Sequence, residues 1–216
     1  MPREIRIDVE DHAILGDLAV PDGAGGVVLF AHGSGSDRKS PRNRQVADAL
    51  RDRGLATLLI DLLTGPEKEV DARTRELRFD IDLLTGRVLT AADRLAGADE
   101  TADLPLGYYG SSTGAAACLV AEAAGPHEVH AVVSRGGRVD MAGDYLDQVG
   151  APVLMIVGER DPQVLEFNRR ALERLNEESR LETVAGATHL FGEPGAMDEV
   201  ARLSAEWFEV RLARSD

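Results

Sequence analysis

Residues 110 to 114 read Gly-Ser-Ser-Thr-Gly, a G-x-S-x-G turn between the apolar run LPLGYY and the Ala-rich stretch GAAACLVAEAAG. A strand, this turn and a helix in succession are the setting in which a serine sits on a strained bend with its hydroxyl exposed. The flanking glycines fit that setting, because strand and helix pass close to each other there. Ser112, at the centre, is therefore the candidate nucleophile rather than Ser111. The plainer alternative makes Ser112 a helix cap.

Two later stretches supply the partners such a nucleophile needs. APVLMIVGERDP places Asp161 in the turn after one apolar run, and RLETVAGATHLF places His189 after the next. In such a triad the imidazole takes the serine proton and returns it to the leaving group, while the carboxylate holds the imidazole tautomer and stabilises the imidazolium. Taken singly, an Asp at such a turn is usually a cap and a His is usually structural. The joint arrangement points to nucleophilic acyl transfer, with Glu159 as the fallback carboxylate.

The loop AHGSGSDRKSP, residues 31 to 41, follows the apolar run GVVLF and has two readings. From Gly33 it is one residue away from the phosphate cradle G-x-x-x-x-G-K-[ST], with Asp61 at the end of LATLLID in the place of a magnesium ligand. Arg38 stands where that cradle needs its last glycine, so the amides could not close around a phosphate. An Asp at a strand end also commonly caps the following turn. No nucleotide binding through Lys39 or Asp61 is expected. From His32 the same loop is an H-G-x-G turn, expected to donate the N–H of Ser34, or of Gly35, to an oxyanion, with Thr113 supplying the second amide. Losing one such donor typically costs roughly 2.7 to 4 kcal/mol in the transition state. His32 itself reads as a hydrogen bonder that stabilises the loop.

The elements that must position these residues are legible as a pattern. EIRIDV and AILGDLAV flank Glu10-Asp11-His12 and predict an antiparallel hairpin. Thereafter apolar runs of strand length (GVVLF, LATLLI, LPLGYY, HAVVS, APVLMIV, RLETVA) alternate with longer helical stretches. That alternation predicts an α/β fold, a mostly parallel sheet covered on both faces. Ser40 as N-cap, Pro41 at the first helical position and Gly54 at the end bracket a helix through RNRQVADALRDR. Further helices are expected from about Asp80 through LLTGRVLTAADRLAG, from Ser112 through GAAACLVAEAAG, and through MDEVARLSAEWFEVRLA. DLLTG occurs at residues 61–65 and again at 82–86, but the flanks differ and the recurrence reads as chance. The polar stretch PEKEVDARTREL, residues 66–77, reads as a solvated excursion, with a mobile lid as its alternative.

The totals bound the function classes. At 216 residues the chain is one domain, residues 1–216, able to bury roughly 70 to 75% of its unfolded surface. A single cysteine, Cys118, excludes an intramolecular disulfide and any zinc cluster built on several cysteines; Cys118 reads as a small core residue. The formal net charge of -14 argues against nucleic-acid and membrane partners. The charged N-terminus is unlike a signal peptide, and no run of about 18 apolar residues occurs, so a cytoplasmic protein is expected. No metal site is expected.

At FAHGSGSDRKSPRN, GYYGSSTGAAA, VVSRGGRVD, VGERD and GATHLF the chain resembles the dienelactone hydrolase family of the α/β-hydrolases, from about Gly26 to the C-terminus. The resemblance implies an eight-stranded sheet, hydrolysis of small esters or lactones without a cofactor, and a covalent acyl-enzyme. Dienelactone hydrolases proper use a cysteine nucleophile where this chain has Ser112, which shifts the expectation toward a general serine carboxylesterase. Some relatives of this kind are joined to phosphoribosyltransferase domains, and no such domain is expected within these 216 residues.

The remaining expectations concern substrate and assembly. Arg135, after the strand HAVVS, is the candidate substrate contact against a structural salt bridge, with Gly35 as a second lining residue; a carboxylate-bearing ester or lactone would suit the guanidinium fork. The connection from HAVVS to APVLMIV is too short for a large cap domain, so a shallow, open acyl pocket preferring short acyl groups is expected. His127 and His130 read as exposed. A homodimer is one assembly the sequence allows. The different-class alternatives are a non-catalytic binding module on the same fold, or a thioesterase or peptidase using the same triad.

Overall fold

The computed structural model of the chain describes residues 1–213. The N-terminal hairpin pairs β1 (Arg3–Val9) with β2 (His12–Ala19), and Glu10 turns the chain at φ 49°. The parallel strands follow as β3 (Val27–Ala31), β4 (Ala56–Ile60), β5 (Leu106–Ser111), β6 (Val129–Arg135), β7 (Val153–Gly158) and β8 (Arg180–Val184). One eight-stranded sheet runs in the order β1-β2-β4-β3-β5-β6-β7-β8, antiparallel at β1/β2 and β2/β4 and parallel elsewhere. This is the α/β-hydrolase architecture expected.

Strands β3, β4, β5 and β7 are buried along their whole length, as continuous apolar runs covered on both faces should be. The helices that cover them are α1 (Pro41–Asp52), α2 (Gly65–Thr74), α3 (Ile81–Ala96), α4 (Thr113–Ala124), α5 (Pro162–Leu172) and α6 (Ala196–Arg211). Successive residues of β5 serve opposite faces: Tyr108 packs into the apolar layer under α3 and α4, and Tyr109 into the layer under α1 and α6. The sheet order departs in opposite directions from β3, to β4 on one side and β5 on the other, which opens a crevice beyond the carboxyl ends of these strands.

The helix signals hold where they were strongest. Ser40 accepts from Asn43 N–H at 3.4 Å, Pro41 opens α1, and Gly54 turns the chain at φ 75°. Asp80 caps α3 by accepting from Leu83 N–H at 3.0 Å. The copies of DLLTG adopt unlike structures, one leaving β4 and entering α2, the other within α3, as chance recurrence would have it. Residues 66–77 differ from the solvated excursion: most of them form α2. Its start carries a capping box, in which Thr64 Oγ1 accepts from Glu67 N–H at 3.4 Å and Glu67 Oε2 from Thr64 N–H at 2.7 Å. Between β6 and β7 lie only short 3₁₀ turns within Val139–Gln148, interrupted at Gly143 (φ 57°), and no large cap is inserted.

Candidate active site

Ser112 stands between the last residue of β5 and the first of α4, at φ 50° and ψ −119°. Such a backbone costs a non-glycine residue about 1–3 kcal/mol and persists only where its surroundings over-determine it. They do so here. Ser112 N–H donates to Arg135 C=O at 3.1 Å, and Ser112 C=O accepts from Arg138 N–H at 3.0 Å and from Ala115 N–H at 3.1 Å. The flanking glycines are sterically required: a Cβ on Gly110 would lie 2.3 Å from Ala115 Cα, and one on Gly114 2.5 Å from the carbonyl oxygens of Ala31 and His32. The Ser112 side chain makes no capping bond to α4, so the helix-cap alternative fails. Ser111 is buried, its Oγ donating to Asn43 Oδ1 at 3.0 Å.

Asp161 occupies the N-cap position of α5, yet its carboxylate caps nothing. Its Oδ2 instead accepts from His189 Nδ1–H at 2.6 Å, which leaves the imidazole Nε2 as the basic nitrogen. The loops after β7 and β8 are pressed together to make this contact, since a Cβ on Gly158 would meet Ala187 C=O at 2.5 Å. Glu159 braces the same loop by accepting from Gly186 N–H at 2.6 Å. Ser112 and His189 line one cavity of ≈ 180 Å³, together with Ser34, Arg42, Asn43 and Arg135.

The loop after β3 forms the other wall. Ser36 N–H donates to Gly33 C=O at 3.2 Å, a turn whose own bond leaves the amides of Ser34 and Gly35 unused. Thr113 is the first residue of α4, where an amide has no acceptor within the helix. Ser34 and Thr113 also line a recess of ≈ 210 Å³ on the far side of this loop, with Gly35 beside them. Its other wall is α2, through Lys68, Asp71 and Ala72.

His32 stabilises the loop as the sequence suggests: buried, it donates from Nδ1–H to Gly33 C=O at 2.8 Å, and its Nε2 accepts from Leu62 N–H at 3.1 Å. Only a neutral ring can do both, and burial lowers its pKa from 6.5. The unfolded chain binds the proton that the folded one refuses, so the stability from His32 is complete above about pH 6.5 and is lost as pH falls below it, by up to about 1.4 kcal/mol per pH unit. The difference in urea-unfolding free energy between the wild type and His32→Gln is expected to shrink from about pH 7.5 to about pH 5.5. A difference that stayed constant would remove His32 from this role.

The side chains on which a phosphate cradle would draw are committed to an ion-pair network pinning the loop to the hairpin. Lys39 Nζ lies 3.0 Å from Asp17, Arg38 pairs with Asp17 at 3.3 Å and with Glu4, and Asp61 pairs with Lys68 at 2.9 Å. Among the described residues Arg135 makes no salt bridge. Its NH2 donates to Asn43 Oδ1 at 3.5 Å, its guanidinium lies 5.7 Å from the centre of the Phe191 ring, and its Nε is buried without a partner. Sequence reasoning missed its neighbour Arg42, whose Nε is likewise buried and unpartnered; burial and then the nearby Arg135 lower its pKa. The available signal was its place at the start of the helix that follows HGSGS.

Arg138 is engaged by Asp140 at 2.8 Å. Cys118 lies in the core, where burial pushes its thiol pKa up. The two later histidines are half-buried rather than exposed, His127 pairing with Asp93 at 2.9 Å. No cluster of three or more His, Cys, Asp or Glu poised to hold a metal occurs among the described residues, and none of their helices is long and apolar enough to cross a membrane.

A dienelactone hydrolase from Anabaena variabilis ATCC 29413 is 52% identical in sequence and superposes with a TM-score of 0.94 over 98% of this chain and 99% of its own. Est1E from Butyrivibrio proteoclasticus, 16% identical, shares the fold at a TM-score of 0.82 over 98% of this chain and 99% of its own. Among curated proteins, a putative phosphoribosyl transferase of Mycobacterium tuberculosis is 51% identical over 205 residues, which are 95% of this chain and 45% of the relative. The chain thus spans less than half of that relative's length. The model of the dienelactone hydrolase family matches residues 14–210, and this chain belongs to that family within the α/β-hydrolase superfamily.

Proposed function

We propose that this protein is a serine hydrolase that cleaves small carboxylic esters or lactones through an acyl-enzyme, without a cofactor. One observation carries the reading. The two side chains that could have served as helix caps, Ser112 and Asp161, cap nothing; one rides a strained bend and the other holds His189 at 2.6 Å. A structural role would leave both conformations unexplained.

In the reaction, His189 Nε2 takes the Ser112 proton as Oγ attacks the carbonyl carbon. The negative charge gathering on the carbonyl oxygen is met by the amides of Ser34 and Thr113, fixed before the substrate arrives. The imidazolium then protonates the leaving-group oxygen, and water, activated by the same histidine, hydrolyses the acyl-Ser112 ester. Asp161 keeps Nδ1 protonated throughout, so that the lone pair of the neutral ring stays on Nε2. The unpaired Cys118 suits a cytoplasmic, reducing setting, which is part of the same reading.

Arg135 and Arg42 bear on selectivity. In a chain of net charge -14, these two guanidiniums face the cavity of Ser112 with no ion pair to either among the described residues. A carboxylate on the substrate supplies the missing partner. Short esters are therefore expected to be turned over, with a carboxylate-bearing ester favoured over its neutral analogue. Arg135→Ala is expected to lower that kcat/KM ratio about 10-fold, the size of a lost charge-assisted hydrogen bond. A ratio unchanged by the substitution returns Arg135 to a structural part, and a wild type that hydrolyses no ester rejects the function.

A further inference from the structure

The loop Gly33 to Ser36 lies between two hollows of unlike electrostatic character. On one side is the cavity of Ser112 and His189, with two arginines, Arg42 and Arg135, that have no ion pair among the described residues. On the other is the recess of ≈ 210 Å³, walled by Leu62, Leu63 and Leu84 from beyond β4 and α3 and by Ala72 of α2. Gly33, Ser34 and Ser36 line both hollows, and Thr113 lines the recess. A carbonyl oxygen held between the amides of Ser34 and Thr113 thus sits at the junction.

We propose that the recess is the acyl subsite and that it takes a neutral, apolar acyl group of about the size of a benzene ring. The inference rests on the acyl-transfer reading above and names which half of the substrate goes where. The leaving-group oxygen must come within hydrogen-bond reach of the imidazole that protonates it. His189 lines the arginine cavity and not the recess, so the leaving group occupies the arginine side. The acyl substituent on the same carbon then faces the recess.

Charge and size specify the occupant. Most charged groups around the recess are already paired: Lys68 with Asp61 at 2.9 Å and Arg78 with Asp71 at 2.7 Å, while Asp37 is exposed to solvent at the rim. A second charge entering there would lose its water without gaining a partner. With ≈ 210 Å³ and an apolar wall of Leu62, Leu63, Leu84 and Ala72, the recess has room for a benzoyl or a short alkanoyl group, since about 150 Å³ suffices for benzene. The same pairs explain α2. With almost no buried side chain of its own, the helix is moored by its capping box, by Glu67 to Arg87 at 2.6 Å, and by Lys68 and Asp71. Polar moorings hold it over the recess without filling it.

The experiment uses one leaving group and varies the acyl group, comparing p-nitrophenyl acetate, butanoate, hexanoate, decanoate and benzoate. In the wild type, kcat/KM should rise about fourfold per added methylene up to the capacity of the recess, then fall, with benzoate well above acetate. Ala72 is exposed on α2, and Ala72→Phe projects a ring over the opening; the butanoate-to-acetate and benzoate-to-acetate ratios should each drop about tenfold. If Ala72→Phe does not fold, Leu63→Ala decides instead, enlarging the recess and moving the optimum to a longer chain. Acetate turnover with a flat wild-type profile, or a profile that the deciding variant leaves unchanged, overturns the acyl subsite alone. Failure to hydrolyse any of these esters, with Ser112 inert to a fluorophosphonate, overturns the acyl-transfer reading beneath it.

Discussion

Ser112→Ala is expected to lower kcat for ester hydrolysis by about 10⁶-fold, the scale on which removal of a triad nucleophile acts. The oxyanion amides and substrate binding are retained, so a residual rate above that in water, of about 10³-fold, should persist. The fold should be unharmed, since the Ser112 hydroxyl caps nothing and alanine has the same Cβ. Ser111→Ala is the internal control. That hydroxyl is buried and bound to Asn43 Oδ1, so its loss disturbs a brace and retains part of the activity. Mass spectrometry of the fluorophosphonate-treated wild type should map one adduct to Ser112, absent from the variant. An adduct on another residue, or full turnover by Ser112→Ala, would sink the assignment.

Asp161→Asn is the second large effect, a fall in kcat of up to about 10⁴-fold with the protein still folded. Asparagine preserves shape but presents an N–H₂ where His189 Nδ1–H now finds a carboxylate oxygen at 2.6 Å. The imidazole answers by moving its proton to Nε2, the nitrogen that must accept from Ser112, and the developing imidazolium loses its counter-charge. Asp161 makes no cap bond to α5, so the melting temperature should change little while kcat collapses. Should kcat survive, the third member would have to be sought elsewhere. Glu159 is a poor substitute, because its carboxylate is spent on Gly186 N–H at 2.6 Å.

These two predictions rest on residues found from short-range chemistry. Gly110 and Gly114 are small because strand and helix nearly touch two residues either side of Ser112, a constraint written within five consecutive positions. Ser40, Pro41 and Gly54 mark α1 for equally local reasons, as hydrogen-bond acceptor, fixed φ and positive φ. The central parallel strands β3, β4, β5 and β7 announce themselves because a strand buried on both faces must be apolar throughout, whereas the edge strand β8 is mostly exposed. Helix α2 escaped that reading. It has no apolar stripe, and its moorings, Arg87 and Asp61, lie outside it; the Thr64-x-x-Glu67 capping box and Pro66 in the first turn were its local signs.

What the chain determined by itself, then, is where a nucleophile, an acid and a base can stand, because backbone strain, close approach and the order of turns after successive strands are matters of near neighbours. Tertiary structure alone decided what surrounds them. Arg42 and Arg135 come from α1 and from the end of β6, and their shared lack of acidic partners depends on where many distant carboxylates were drawn instead, Asp17 and Asp61 to the loop network among them. The recess likewise exists only because α2 is tethered over Leu62, Leu63 and Leu84. Unfilled volume and uncompensated charge are properties of the whole packed arrangement, so no local pattern could have announced either one.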